Sequence, residues 1–337
     1  MENMTILFIH YYIDKERSPN GQDETITIPL ICAKYFKEVY VYQGIKKTKN
    51  FRDGKVCQIL KDGSNIIIDG DPNNKYQTPG DHSKWDYPNP NSRFAQILLN
   101  SDIISILGST VGNDMFQPEL NNTKAFVVQQ PIYCPILKIT RHVIKNDEVM
   151  RVNSNEFIEM TKKYRNINKK NNMNIGFVGT ICGRKGQLNF LQKIDIKNLK
   201  NYTLHFIGTI AEQDYLNKII LFLKENKINH IIHGKLNGED YIKKLCDLKC
   251  IVNYSKLDAN PRVIWDALYC GIPFFASTKC EIPKIIHNFG IIDNNANSFF
   301  KLLKFDKHKE ILDFADENLE PEKYIRKLYL DVIQCHQ

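Results

Sequence analysis

The sequence predicts an α/β protein built of two doubly wound, Rossmann-like domains that face a cleft. Short apolar runs such as "TILFIHYY" and "NIGFVGT" alternate with amphipathic stretches such as "EQDYLNKIILFLKEN". Apolar strands separated by amphipathic helices are typical of parallel sheets covered by helices on both faces. A polar, Asn- and Lys-rich region from about 145 to 172 divides this alternation into two series, which indicates two domains.

The chain of 337 residues is long enough for two domains. We place the N-terminal domain at 1–150, a polar linker at 151–171 and the C-terminal domain at 172–315. The last segment, 316–337, contains "EPEKYIRKLYLDVIQ", which we predict to be a C-terminal helix.

The composition excludes several classes of protein. With 42% hydrophobic residues the chain can bury full cores, so it is not disordered as a whole. No apolar run reaches the ~18 residues that a membrane span needs. The start, "MENMTILFIHYYIDKE", has neither the basic region nor the cleavage site of a signal peptide. We therefore expect a cytoplasmic protein.

The net charge of +8 lies entirely after residue 150, where 29 Lys and Arg face 21 Asp and Glu. Part of the excess is in "TKKYRNINKKNN", which we interpret as a solvated linker. Such a patch is compatible with peripheral contact to an anionic membrane but does not require it. The first 150 residues hold 17 of each sign, so we do not expect a nucleic-acid partner.

The nine cysteines are scattered along the chain, and only Cys246 and Cys250 are close in sequence. A zinc site would need two more clustered ligands, so we predict no metal site. Reduced, mostly buried thiols are the expected state in a cytosolic protein.

One segment concentrates chemical signals: "NYSKLDANPRVIWDALYCGIPFFAST". A strand ends near Ser255 and a helix begins near Pro261, with Asn260 as a favourable N-cap. The intervening loop therefore lies at the carboxyl end of a parallel strand, where open α/β sheets bind ligands. Free backbone amides at such a helix start favour an anion such as a diphosphate.

Two aspartates flank this helix start. Asp258 stands just before it and Asp266 about one and a half turns into it, so their carboxylates can reach different parts of one extended ligand. Taken alone, the segment also fits a capped helix with two solvated aspartates.

The segment resembles the donor-binding signature of family 4 glycosyltransferases, retaining enzymes of the GT-B fold. That signature has two glutamates separated by seven residues and then Ala-x-x-x-Gly-x-Pro. Asp258 and Asp266 stand at the acidic positions, and Ala267, Gly271 and Pro273 match the rest. The resemblance implies that Asp258 contacts the donor sugar and Asp266 the nucleotide ribose. Both acids are one methylene shorter than glutamate, which affects their reach.

A second match lies upstream, in "NIGFVGTICGRKGQLNFLQKI". It resembles the family's glycine loop and Lys-Gly helix start, with Gly179 and Lys185 on the matching positions. Thr180 replaces a frequent arginine, and Arg184 is a candidate to supply that charge. Arg184 and Lys185 beside free amides can neutralise a leaving diphosphate. The alternative is a plain βα turn, because no dinucleotide or Walker sequence is present.

Between these matches, the turn His233-Gly234-Lys235-Leu236 corresponds to where the family binds the nucleotide base. The resemblance spans about 172–290.

In the N-terminal half, "SPNGQDETITIP" resembles the family's first glycine loop. A histidine that is usual in that domain of the family is missing, which leaves His10 and His82 as candidates by default. The catalytic candidates are Asp258, Lys185 and Arg184; the donor-binding candidates are Gly21, Gly179, Thr180, His233, Lys235, Leu236, Asn260, Pro261, Arg262, Val263 and Asp266.

The resemblance implies transfer of a hexosyl or related sugar from a UDP- or GDP-sugar to an acceptor hydroxyl, with retention of configuration and without a cofactor or an obligatory metal. It assigns acceptor binding to the N-terminal domain and donor binding to the C-terminal domain, and it implies that the last helix packs back toward the N-terminal domain. The expected role is polysaccharide or glycoconjugate biosynthesis. A glycan, a lipid-linked sugar and a protein remain open as acceptors.

Three alternatives stay open. A catalytically degenerate GT-B scaffold would bind sugar nucleotide or glycan without turnover. A DNA-modifying glucosyltransferase would use the same donor with a different acceptor. Asp69-Gly70-Asp71 resembles the metal-binding motif of GT-A glycosyltransferases, although a short D-x-D also occurs in ordinary turns.

Overall fold

The computed structural model describes two compact units. Unit 1 holds the described residues up to 129 together with 321–334, and unit 2 holds those from 150 to 320. The described residues are 1–9, 24–48, 51–69, 75–77, 96–97, 100–107, 125–129, 150–165, 172–259 and 261–334.

The described strands are β1 (Thr5–Ile9), β2 (Glu38–Thr48), β3 (Phe51–Ile59), β4 (Asn65–Asp69), β5 (Lys75–Gln77), β6 (Ile103–Leu107), β7 (Ala125–Gln129), β8 (Asn174–Val178), β9 (Thr203–Ile207), β10 (Asn229–Gly234), β11 (Cys250–Asn253), β12 (Asp258–Ala259), β13 (Phe274–Ala276), β14 (Cys280–Glu281) and β15 (Gly290–Ile292). The described α-helices are α1 (Glu24–Cys32), α2 (Asn155–Tyr164), α3 (Gln187–Lys193), α4 (Gln213–Glu225), α5 (Gly238–Cys246), α6 (Arg262–Tyr269), α7 (Phe299–Leu302), α8 (His308–Asn318) and α9 (Pro321–Gln334).

Unit 1 contains a mixed sheet in the order β4-β3-β2-β1-β6-β7, with β5 paired to β3. The strands β2, β1, β6 and β7 are parallel, as the doubly wound pattern predicts. The parallel pairing that the alternation predicts covers only part of this sheet, because β3, β4 and β5 pair antiparallel on one side. A tight turn makes this hairpin: Asp62 Oδ1 accepts hydrogen bonds from the Ser64 backbone N–H at 2.9 Å and hydroxyl at 2.6 Å.

The C-terminal helix α9 belongs to unit 1 and packs against α1. Glu322, in its first turn, accepts a hydrogen bond of 2.5 Å from the Tyr35 hydroxyl and pairs with Lys34 at 3.4 Å. The Arg326 guanidinium lies 5.3 Å from the centre of the Tyr35 ring. A charged contact and a cation–π contact therefore join α9 to the residues that directly follow α1.

Unit 2 contains a six-stranded sheet in the order β10-β9-β8-β11-β13-β15, and every neighbouring pair is parallel. This is the doubly wound order, and its direction reverses between β8 and β11. Ligands of open α/β sheets bind at the carboxyl ends of the strands at such a reversal. The topology therefore marks one edge of unit 2 as the place to look for a site.

Two apolar cores cover the two faces of the unit 2 sheet. Along β13 the side chains alternate, since Phe275 joins one core while Phe274 and Ala276 join the other. We call the first the α3 core, because Phe190 of α3 lies in it, and the second the α6 core, because Trp265 of α6 lies in it. Helix α4 shows how the sequence supplies these faces: its buried residues are Leu216, Ile219 and Leu223.

The prediction of a polar linker at 151–171 is wrong for the described part, 151–165. Helix α2 forms there, and the Ser154 hydroxyl caps it by accepting a hydrogen bond of 3.2 Å from the Phe157 N–H. Phe157 and Ile158 are buried in the α6 core. The lysines that suggested a linker, Lys162 and Lys163, lie in the last helical turn, where positive charge favours the helix dipole.

No helix among the residues that the structure describes is long and apolar enough to cross a membrane.

The α3 core generates a stability prediction. The Phe190 ring is fully buried, with the rings of Phe177, Tyr254 and Phe299 centred 5.5–5.6 Å away. Phe190→Ala should lower the free energy of unfolding by about 3–5 kcal/mol, because it removes burial and leaves a cavity.

Urea unfolding followed by tryptophan fluorescence measures this in a Trp85→Phe background, where Trp265 is the sole tryptophan and reports unit 2. The control is Leu221→Ala, whose residue is 58% exposed and should change the free energy by less than about 0.5 kcal/mol. Equal losses in the two variants would contradict the packing described here.

Candidate functional site

Two loops meet where the strand order of unit 2 reverses. One follows β8 and covers 179–186; the other follows β11 and covers 254–258. Both contain residues that the sequence singled out.

The loop after β8 is tied to the loop after β9. Beyond the sheet, the Ile181 N–H donates to the Thr209 carbonyl at 2.9 Å, and the Ala211 N–H donates back to Ile181 at 3.2 Å. The Gly183 N–H donates to Glu212 Oε2 at 3.1 Å. The parallel pairing of β8 and β9 is thus extended into a rigid platform for residues 183–186.

The loop after β8 is also tied to the loop after β11. The Lys256 N–H donates to the Arg184 carbonyl at 2.9 Å, and Arg184 Nη1 donates to the Leu257 carbonyl at 3.0 Å. Gly186 has φ +70°, and a Cβ there would lie 2.2 Å from the Tyr254 carbonyl oxygen. Only glycine permits both this conformation and this approach.

The two loops bring Lys185 and Asp258 into an ion pair, although 73 residues separate them. Their side chains are 18% and 15% exposed, so the pair is half-buried. An ammonium has three N–H donors, which lets Lys185 hold Asp258 and still bind an anion. The solvated-aspartate interpretation is therefore wrong for Asp258.

A short two-stranded sheet orients Asp258. β12 pairs in parallel with β14, which places Asp258 opposite Cys280, and the Asp258 N–H donates to the Lys279 carbonyl at 3.3 Å. The Ser255 hydroxyl lies 3.4 Å from Asp258 Oδ2. Backbone pairing and side-chain contacts together fix this carboxylate.

Asp266 has a different environment. It is 2% exposed on α6, where Oδ1 accepts from Asn153 Nδ2 at 2.9 Å and Oδ2 accepts from the Tyr241 hydroxyl at 2.8 Å. Burial raises the pKa of Asp266 to about 6, against the opposing effect of these bonds and of the charges on Arg262 and Arg151. It is not a solvated aspartate, and its assignment to the ribose remains a prediction. Any ribose contact must use the remaining lone pairs of an enclosed carboxylate.

Asn153 and Tyr241, the partners of Asp266, were missed from the sequence. Asn153 lies in the segment that we took for a linker, and its backbone N–H donates to the Tyr269 hydroxyl at 3.1 Å. Tyr241 is one of four buried residues of α5 and therefore resembles an ordinary core residue. Neither position carries a local sequence signal for contact with an acid.

His233 forms a pair with His205 on the neighbouring strand. His205 Nδ1 and His233 Nε2 are 2.9 Å apart, and His205 Nε2 is 3.1 Å from Asn174 Oδ1. Burial, together with the nearby Lys244 charge, lowers the pKa of His205 to about 4, and burial also lowers that of His233. Both shifts favour the neutral form of the rings. His205 was not predicted from the sequence.

The other predicted donor-binding residues are placed as follows. Helix α6 begins at Arg262 and Pro261 holds the N-cap position, so the predicted N-cap Asn260 is corrected by one residue. Gly21, Asn260, His10 and His82 lie outside the described residues. The Gly179 N–H donates to the Ile207 carbonyl, and the Thr180 carbonyl accepts a hydrogen bond from Gln187 Nε2. Lys235 and Arg262 are exposed. Leu236 and Val263 pack against the α6 core.

Among the residues that the structure describes, no group of three or more His, Cys, Asp and Glu side chains is arranged to hold a metal ion. Asp69 ends β4, while Gly70 and Asp71 lie outside the described part of the chain.

The sequence itself matches one family. Residues 159–309 match the family described as "Glycosyl transferases group 1". This region includes Lys185, Asp258 and Asp266. No curated protein sequence matches the chain.

Solved glycosyltransferase structures resemble the chain along almost its full length. A glycosyltransferase from Rickettsia africae ESF-5 is 16% identical, with a TM-score of 0.57, and the match covers 99% of each chain. AviGT4, which is involved in avilamycin A biosynthesis, is 11% identical with a TM-score of 0.57, covering 99% of this chain and 98% of that one. Anabaena Alr3699/HepE, in complex with UDP and glucose, is 10% identical with a TM-score of 0.54, covering 98% and 100%. The fold is GT-B, so the GT-A alternative does not apply.

The approach of the two loops generates a prediction at Gly186. Gly186→Ala should lower the free energy of unfolding by more than about 3 kcal/mol, because it combines left-handed strain with a clash against backbone. Gly234 is a matched control, since its φ is +68° and a Cβ there meets nothing within 4 Å. Gly234→Ala should cost only the strain of about 1–2 kcal/mol. Urea unfolding of both variants, again followed at Trp265, tests this; equal losses would mean that the clash is absent.

The burial of Asp266 generates a pH prediction. Its folded pKa lies above the usual 3.8, so the folded state binds more protons between about pH 4 and 6. The free energy of unfolding contributed by Asp266 therefore falls as pH rises through this window. Relative to Asp266→Asn, the wild type should lose roughly 2 kcal/mol between pH 4 and 7.

Urea unfolding of both proteins at several pH values measures this difference. Subtracting the free energy of unfolding of the variant from that of the wild type removes the pH dependence that both share, such as that due to His205. Parallel stability curves for the two proteins would show that the pKa of Asp266 is not raised in the folded state.

Proposed function

We propose that this chain, whose residues 159–309 match the glycosyl transferases group 1 family and whose fold is GT-B, moves a sugar from a nucleoside diphosphate donor to an acceptor hydroxyl with retention of anomeric configuration. The observation that carries the proposal is the ion pair of Lys185 and Asp258 at the strand reversal of unit 2. A cation and a carboxylate held at this edge suit the two ends of a sugar diphosphate.

In the proposed reaction, the bond between the anomeric carbon and the diphosphate oxygen breaks, and the acceptor oxygen bonds to the same face of that carbon. The electron pair of the broken bond leaves with the nucleoside diphosphate, whose phosphate oxygen takes the acceptor proton. Negative charge therefore grows on the leaving group. Lys185, Arg184 and the backbone amides at the start of α6 are the groups that stabilise it.

The two acids have separate roles in this proposal. Asp258 accepts hydrogen bonds from hydroxyls of the transferred sugar, and Asp266 accepts them from the ribose. Such bonds to a charged acceptor contribute about 1.5–3 kcal/mol each. UDP and UDP-glucose bind to Anabaena Alr3699/HepE, which supports a uridine nucleotide as the first donor to test, with GDP-sugars next. The proposed chemistry requires no metal.

A second candidate function is a scaffold that binds sugar nucleotide or glycan without turnover. The enclosure of Asp266 by Asn153 and Tyr241 favours it, because a ribose finds little of that carboxylate exposed. Both candidates share the fold and the donor site, so only turnover distinguishes them.

The test begins with a panel of UDP- and GDP-sugars. At least one should raise the melting temperature, since a ligand that binds only the folded state stabilises it. The same compound should be hydrolysed slowly without acceptor, also in the presence of EDTA, and proton NMR should show that the released sugar first has the donor's anomeric configuration. Binding without hydrolysis or transfer would favour the scaffold, and loss of activity in EDTA would contradict a metal-free reaction.

Variants then assign the roles. Lys185→Ala should lower kcat by roughly 10²-fold while weakening donor binding less, because its charge acts mainly on the leaving group. Asp258→Ala should lower kcat but keep nucleoside diphosphate affinity, and Asp266→Ala should weaken that affinity. The control is Lys200→Ala, which removes an exposed lysine of the same unit. Calorimetry with the bare nucleotide beside kinetics gives the result, and the opposite pattern for the two aspartates would reverse their roles.

A further inference from the structure

A buried polar cluster lies behind Asp258, at the carboxyl end of β11. It consists of Asn253, Ser255 and Ser277, which are 4%, 1% and 3% exposed. Burying polar side chains costs free energy unless each is hydrogen-bonded. Three of them beside the proposed sugar-binding acid therefore require an explanation.

The cluster fixes Ser255 from two directions. The Ser277 hydroxyl donates to the Ser255 carbonyl at 2.5 Å, and the Ser277 N–H donates to the Asn253 carbonyl at 3.1 Å. The Ser255 Oγ lies 2.5 Å from Asn253 Oδ1 and 3.4 Å from Asp258 Oδ2. Ser255 thus stands between an amide and a carboxylate.

The protons of this chain determine its direction. Ser255 has one hydroxyl proton, and an ionised carboxylate can only accept. With Asn253 Oδ1 toward Ser255, the hydroxyl faces two acceptors, while Asn253 Nδ2 has no hydrogen-bond partner among the described residues. As placed, the Ser255 hydroxyl donates to Asn253 Oδ1. Exchanging the amide oxygen and nitrogen, with the contact lengthening to the roughly 2.7–3.2 Å of an N–H···O bond, lets Nδ2 donate to Ser255 Oγ and frees the hydroxyl proton for Asp258. The unpaired atom is then a carbonyl oxygen, which buried sites tolerate better than an unpaired N–H.

We propose that Asn253 and Ser255 are positioning residues for Asp258, with Asn253 Nδ2 donating to Ser255 Oγ and the Ser255 hydroxyl donating to the Asp258 carboxylate. This inference rests on the proposed function, since it assumes that Asp258 holds the transferred sugar. When the diphosphate shares the Lys185 ammonium, the serine hydroxyl keeps the carboxylate oriented toward the sugar.

The expected effects follow from the direction of the chain. Ser255→Ala removes the donor to Asp258 and should lower kcat about tenfold, the equivalent of one hydrogen bond to a charged group. Asn253→Asp replaces the donating amide by an acceptor that competes for the hydroxyl proton, so it should lower kcat similarly. Ser255→Thr keeps the hydroxyl and should retain at least half of the wild-type kcat. The affinity for UDP should stay within twofold in all three, because Asp258 is assigned to the sugar.

The experiment uses the full chain and measures UDP-glucose hydrolysis, or hydrolysis of the panel sugar that the wild type turns over, for kcat and KM. Calorimetry with UDP and the melting temperature are recorded for each variant. Ser298→Ala is the matched control, since it removes another buried serine that bonds a carboxylate, Asp293, at 2.5 Å. It should keep the wild-type kcat.

A selective loss of kcat in Ser255→Ala and Asn253→Asp, restored in Ser255→Thr, supports the inference. An unchanged kcat in Ser255→Ala overturns it, and so does a parallel loss of UDP affinity and melting temperature, which would indicate a structural role. A wild type that hydrolyses no nucleotide sugar defeats the proposed function and this inference with it. An active wild type with an unaffected Ser255→Ala variant defeats the inference alone.

Discussion

The site depends on one close approach of backbone to backbone. Gly186 lies so near Tyr254 that a side chain there would place a carbon 2.2 Å from the Tyr254 carbonyl oxygen. This contact holds the loop after β8 against the loop after β11, on the two strands that flank the reversal of strand order. The same approach brings Lys185 to Asp258. The absence of a side chain at Gly186 therefore allows Lys185 and Asp258 to meet.

The two aspartates of the motif differ because their partners differ. Asp258 has an ammonium beside it, whereas Asp266 accepts hydrogen bonds from the neutral groups of Asn153 and Tyr241 inside the α6 core. Burial makes the ionised form of Asp266 costly and raises its pKa to about 6, although the hydrogen bonds from Asn153 and Tyr241 and the charges on Arg262 and Arg151 act in the opposite direction. Each further hydrogen bond that this carboxylate accepts stabilises its ionised form. Ribose hydroxyls at Asp266 would therefore lower its pKa, so donor binding and proton release would be linked.

Local sequence patterns predict the strands and helices of unit 2, but they do not predict side-chain contacts between segments that are distant in the sequence. The strands and helices of unit 2 follow from apolar periodicity. The resemblance to the family motif singles out Lys185 and Asp258 separately, and the structure shows that they form a pair. Helix α2 was missed because its charges were weighed without the apolar face that Phe157 begins. The contacts of Asp266 with its partners, and that between His205 and His233, join residues on different helices, strands and loops. The pattern of one segment therefore does not predict them. The antiparallel strands of unit 1 are set by the turns between them. The apolar runs on either side of these turns fit strands of a parallel sheet equally well, so the sequence pattern does not reveal their direction.

The orientation of the ion pair matters for the proposed reaction. As the glycosidic bond breaks, positive charge develops on the sugar and negative charge on the diphosphate. With Asp258 at the sugar and Lys185 at the diphosphate, each fixed charge faces the opposite developing charge. Loop contacts already hold both groups, Lys185 through the neighbouring Arg184 and Asp258 through β14, so little reorganisation is needed when the charges appear. A half-buried pair is less screened by solvent than an exposed one, so in the proposed reaction its field would act more strongly on the developing charges.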